Sequence, residues 1–189
     1  MPAQRTSAQV ILGYALSHLP ERSKEARDIL QEAVTRCAAI GNRLHQGWAL
    51  SALARLSFRE GRFAEVEQLT QEAHAMLMVE APTFQAWPLS WLARALVRQG
   101  RASAALAAVE QATTSMKTFG KFTLSSLITP LARIEALLAL NQKESAVQAI
   151  ATTKRRVLRS ADAMAEPVWR DPFLLHPDVR ELLSLPDAV

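Results

Sequence analysis

Apolar residues along the chain recur three and four apart, and they do so in blocks that repeat. Trp48-Ala-Leu-Ser-Ala-Leu-Ala-Arg55 and Trp87-Pro-Leu-Ser-Trp-Leu-Ala-Arg94 share the pattern W-x-L-S-x-L-A-R at an offset of 39 residues (87 against 48). Both run on through a further Arg into a Gly-Arg pair, as Arg59, Gly61, Arg62 and Arg98, Gly100, Arg101. Ser126-Leu-Ile-Thr-Pro-Leu-Ala-Arg133 is a third copy, and Leu12-Gly13-Tyr14 a degenerate first one. Leu50, Leu53 and Ala54, and likewise Leu89, Leu92 and Ala93, lie on one side of a helix.

Each block is followed by a breaker (Pro20, Gly61, Gly100 or Asn141) and by a second helical pattern: Ala26, Leu30, Ala33; Val66, Thr70, Ala73; Ala105, Val109, Ala112; Ala146, Ile150, Thr153. The spacing predicts four helix hairpins in units 5–41, 42–81, 82–121 and 122–160. First helices are expected near 5–19, 43–60, 83–99 and 122–140, second helices near 22–40, 63–79, 102–118 and 143–160. Gly41 and Gly120 are placed to cap second helices. Leu53, Leu92, Ala105 and Ala112 are expected in the core, Trp91 is assigned to packing, and Pro130 should kink its helix or delay its start.

Composition narrows the class. In 189 residues, 49% are hydrophobic and 21% charged, which excludes disorder as the main state, and the abundance of strong helix formers disfavours an all-β fold. The single Cys37 cannot form an internal disulfide and fits a reducing compartment, so a cytoplasmic protein is expected. No uncharged apolar run reaches the length of a membrane span, and the N-terminal stretch has no secretory pattern.

Candidate chemistry is sparse. His18, His45, His74 and His176 fall one per element without metal-ligand spacing, Cys37 sits among Val34, Ala38 and Ala39 as a buried thiol would, and the glycines are too isolated to cradle a phosphate. Hence no catalytic residue, metal or cofactor is expected.

These hairpins resemble the tetratricopeptide repeat family, through Leu12-Gly13, Leu53-Ala54 and Leu92-Ala93 in first helices, the turn residues Gly61 and Gly100, and the small-residue pattern of the second helices. The period is near 40 residues rather than the family's usual 34, so helices about a turn longer are expected. In the fourth unit Leu131-Ala132-Arg133 lies two residues farther from its turn, Asn141, than in the second and third. The resemblance implies a right-handed α-solenoid of about four hairpins. Residues 161–189 look like the tail that closes long-period arrays in large bacterial signalling proteins, with Trp169, Phe173 and Leu174 covering the last hairpin and a short helix beginning at Pro177.

In such an array the first helices line a concave surface, and equal positions of successive repeats stand side by side. Trp48, Arg55, Phe58 and Arg59, then Trp87, Arg94 and Arg98, then Arg133, would form one strip. Acidic residues are absent from 81 to 109 and from 111 to 134, leaving Glu110 against six cations. Net charge is +4, with 17 Arg and 5 Lys. The guanidinium fork suits bidentate binding of carboxylates, so the expected function is non-catalytic binding of a protein or peptide with acidic groups. Two alternatives stand beside it: a regulatory or oligomerisation segment of a larger bacterial signalling or transcription-regulatory protein, and simple solubilisation by exposed arginines. The absence of Lys-rich runs and grouped aromatics argues against nucleic acid.

Overall fold

The computed structural model describes residues 2–119 and 127–187, and these are helical, with no strand among them. Among the described residues ten α-helices follow one another: α1 Pro2–Leu16, α2 Ser23–Ala39, α3 Arg43–Arg59, α4 Phe63–Glu80, α5 Ala86–Arg98, α6 Ala102–Phe119, α7 Ile128–Ala139, α8 Lys143–Asp162, α9 Pro167–Leu175 and α10 Pro177–Ser184. Short 3-10 turns at Pro20–Arg22 and Pro82–Phe84 precede α2 and α5. Among the described residues no helix is long and apolar enough to cross a membrane.

The turns follow from local chemistry. Gly41, Gly61, Gly100 and Asn141 have φ of 68°, 75°, 74° and 56°, the left-handed region that Gly and then Asn tolerate best. At each, two backbone bonds close the preceding helix. Arg62 N–H donates to Ser57 C=O at 2.9 Å and Gly61 N–H to Phe58 C=O at 3.1 Å, and the pattern recurs at Arg101, Gln142 and Asn42. This is the Schellman closure, in which otherwise orphaned carbonyls are satisfied. Gly120 lies outside the described residues, as does the expected start of the fourth first helix. The described α7 starts at Ile128, so Pro130 sits in its first turn, where a missing N–H removes no helical bond.

Helices pack as α1 on α2, α3 on α4, α5 on α6 and α7 on α8, with α2 on α3, α4 on α5 and α6 on α7 joining the pairs. The odd-numbered helices also touch in order, α1 to α3, α3 to α5 and α5 to α7. Leu53, Ala105 and Ala112 are buried as expected, while Leu92 is half-buried against their clusters. Close approach is built in by small residues: a Cβ on Gly13 would stand 2.7 Å from Leu30 Cγ, and one on Gly47 2.8 Å from Leu77 Cγ.

The C-terminal segment departs from expectation. Trp169 does not cover the last hairpin; it is 70% exposed, with Val168 and Leu175 also in solvent on α9. Phe173 and Leu174 are partly buried, but the anchors are Val179 and Leu182 of α10, packed with Leu131, Ile134, Ile150 and Val157 of α7 and α8. Lys154 fixes the end of the segment, donating to Leu185 C=O at 2.5 Å and Asp187 at 2.8 Å.

Candidate binding site

The repeated arginines of α3 and α5 converge around one hollow of about 260 Å³. Arg55, Phe58, Arg59, Trp91, Arg94 and Arg98 line it from below, and Pro177, Asp178 and Glu181 of α10 form its opposite wall. The face expected to be open is therefore occupied by the chain's own last helix.

Counting back from the turns explains the order of side chains. Arg55 stands six residues before Gly61, and Arg94 six before Gly100. Six before Asn141 is Glu135, and six before Pro20 is Tyr14. In the fourth unit the two-residue displacement thus puts a carboxylate, not Arg133, at the next rung. Arg94 Nε and Nη2 donate to the two Glu135 oxygens at 2.9 Å each, a bidentate fork, and Arg98 adds a third bond to Glu135 at 2.9 Å. Arg94 also pairs with Glu181 of α10. Its Cζ stands 4.8 Å from the Phe58 ring centroid and 5.5 Å from that of Trp91, so the cation sits between aromatic faces. Burial lowers the pKa of this guanidinium, but the bonds and charge of Glu135, with Glu181 and Asp178, outweigh it and hold the pKa above its ordinary value.

The candidate residues expected on one exposed strip have different surroundings. Arg55 and Arg94 are each only 3% exposed, so they are interior groups rather than solvent-facing hooks. Arg59 and Arg98 keep their heads exposed, Arg59 donating to Ser17 C=O at 3.2 Å. Phe58 is half-buried between Phe63 and Trp91. Trp48 lies away from the hollow, edge-on to Phe84 at 4.8 Å and tilted against His45 at 5.4 Å. Trp87 is buried with its ring 5.1 Å from Tyr14. Arg133 is exposed beside Pro130 in separate hollows toward α6 and α8. Of the repeated serines, Ser90 joins α5 to α7, its Oγ 2.8 Å from Thr129 Oγ1, whereas Ser51 donates within its own helix to Gly47 C=O.

The shortage of acid between 81 and 134 is made good from outside that window. Glu67 takes Arg101, Glu135 takes Arg94 and Arg98, and Glu181 reaches Arg94 across 87 residues of chain. Counting charge along a window could not find partners so distant in sequence. The signal that could have found α10 is its own spacing: Asp178 and Glu181 three apart, with Val179 and Leu182 three apart beside them.

A second contact ties α10 to the first hairpin. Asp178 N–H donates to His176 Nδ1 at 3.3 Å and caps the helix, so His176 carries its proton on Nε2, which lies 3.0 Å from His18 Nδ1. Burial, Arg55, His176 and Arg59 push His18 down to about 3, and burial also lowers His176. Tyr14, half-buried beside His18, is raised by burial to about 12. Cys37 is a buried thiol whose pKa burial raises, far from a nucleophile's environment. No group of three or more His, Cys, Asp or Glu among the described residues is arranged to hold a metal ion.

Searched against protein-family models, curated proteins and solved structures, the chain matches none of them.

Proposed function

We propose that the chain is a tetratricopeptide-like α-solenoid whose arginine face binds an amphipathic helix bearing acidic groups, and that it acts by binding rather than by catalysis. The observation that carries this reading is α10 itself, whose Glu181 meets Arg94 and whose Asp178 faces the hollow beside Arg55, while Val179 and Leu182 bury the apolar side. A partner helix with the same two sides would take the same contacts. Acidic groups would bring it to the exposed heads of Arg59 and Arg98 first, and apolar burial would hold it. Because α10 is tethered, the partner competes with an effective concentration in the millimolar range set by a short link.

A fluorescent peptide of residues 176–187 tests this on the full chain. In wild type, resident α10 should keep it off, whereas Glu181→Arg loosens the resident helix and should admit the native peptide. A peptide carrying the same Glu181→Arg change should not bind. Failure of the native peptide to bind either chain would contradict the reading.

A second reading, a segment that associates with itself or with the rest of a larger signalling protein, is favoured by the exposed apolar side of α9, where Val168, Trp169 and Leu175 face solvent. Sedimentation of wild type and Trp169→Ser separates the two, since association through α9 would be lost in the variant while peptide binding would not.

A further inference from the structure

Arg55 is a buried cation short of partners. One hydrogen bond, from Nη1 to Ser17 Oγ at 3.3 Å, engages one of its five N–H donors, and no carboxylate of the described residues forms an ion pair with it. Trp91 has the same shortage: its indole N–H is buried without an acceptor. Both side chains line the 260 Å³ hollow under α10. Buried donors are normally satisfied, because an unpaired one keeps its desolvation cost.

The surroundings define what would satisfy them. Arg55, Arg59, Arg94 and Arg98 are opposed by Glu135, Asp178 and Glu181, so four cations face three carboxylates and one positive charge is left over. Arg94 is paired with two carboxylates, and Arg98 already donates to Glu135. The surplus therefore falls at Arg55 and Arg59. The wall next to them is the ring of Phe58, which packs on that of Trp91 at 5.4 Å. Spare donors, one unbalanced charge and aromatic sides together fit an anion that accepts bonds at one end and is apolar at the other.

We propose that this hollow binds a small organic monocarboxylate, its carboxylate accepting from Arg55, Arg59 and the Trp91 indole N–H and its apolar body against the Phe58 ring. The site lies between the arginine face and α10 and does not rest on whether a partner helix replaces α10. Arg55 supplies the buried charge and Arg59 the solvent-side entrance, so a ligand enters past Arg59 and reaches Arg55 by giving up its water. An uncharged ring leaves the donors unpaired, and an inorganic anion leaves the aromatic wall unused.

The probes are benzoate, benzyl alcohol and inorganic phosphate, titrated into the full chain at constant ionic strength and followed by calorimetry, tryptophan fluorescence and melting temperature. Benzoate should bind, change the tryptophan emission and raise Tm in proportion to the logarithm of its concentration above Kd. Benzyl alcohol and phosphate should bind at least tenfold more weakly. Arg55→Met and Arg59→Gln should each weaken benzoate tenfold or more, as loss of a charge-assisted bond does. Arg59 is exposed, so its variant reports on the site even if Arg55→Met fails to fold. Absence of benzoate binding, equal binding by phosphate, or unchanged affinity in Arg59→Gln would each overturn the assignment.

Discussion

Removing Glu135 should cost more stability than removing Arg94, and the difference can be worked from who is left behind. In Glu135→Met, the Arg94 side chain, 4% exposed, keeps one carboxylate, Glu181, which is itself 38% exposed. A buried cation that has lost its bidentate partner costs about 3–5 kcal/mol. In Arg94→Met the stranded group is Glu135, 14% exposed and still held by Arg98, so the cost should be about 2 kcal/mol. Replacing both by Met removes the charge pair as a unit and should be closer to wild type than the sum of the singles. For a chain of 189 residues, 3–5 kcal/mol lowers Tm by about 10 °C. Urea denaturation followed by circular dichroism, run as a double-mutant cycle with Arg98→Ala as the exposed control, measures all of this; the control should lose under 1 kcal/mol. Equal costs for Glu135→Met and Arg98→Ala would refute the buried network. For the same reason Arg55→Glu with Arg94→Glu, which exposed arginines would tolerate, should severely destabilise the chain.

Other outcomes follow from separate parts of the fold. Ala105→Leu should lose about 1–3 kcal/mol by overpacking a fully buried position, read from thermal melts. Gly100→Ala meets no neighbour within 4 Å, so its loss of about 1 kcal/mol in the same melts should come from the left-handed backbone alone. Acid should weaken the fold through His18. Its folded pKa lies below the unfolded value near 6.5, so on acidification the unfolded chain binds the proton first, and stability falls as pH drops from about 6.5 toward 3. His176, also lowered, acts in the same direction. The slope is at most about 1.4 kcal/mol per pH unit for each histidine, and His18→Phe should flatten denaturation midpoints measured from pH 7 to 4. Arg133→Glu, on an exposed side chain apart from the arginine hollow, should leave both Tm and peptide binding unchanged.

Helices α2 to α6 and α8 were legible to within a few residues because their information is local: apolar positions at helical spacing, Gly turns that end α2, α3 and α5, and an Asn turn that precedes α8. That Arg55, Phe58, Arg59, Arg94 and Arg98 lie together was also legible, since equal positions of successive repeats meet in space. Burial was not legible, because it depends on what covers the face. Arg94 reads like Arg98 in sequence, yet one is enclosed between Phe58, Trp91 and two carboxylates while the other remains in solvent. The placing of Arg133 failed through register: matching the L-A-R motif gave one alignment, whereas the turn at Asn141 sets which residue faces α5, and that residue is Glu135. Trp48 and Trp87, equivalent in the repeat, pack against the rings of Phe84 and Tyr14 and lie outside the lining of the arginine hollow.

Hydrogen exchange of the full chain with and without the 176–187 peptide tests the arginine face as an exchangeable helix site most directly. With Glu181→Arg as the loosened form and wild type as reference, added native peptide should speed exchange of the chain's own Val179–Ser184 amides while α3 and α5 stay protected. Peptide that binds without changing exchange in α10, or that unprotects α3 and α5 together with it, would contradict displacement at that face.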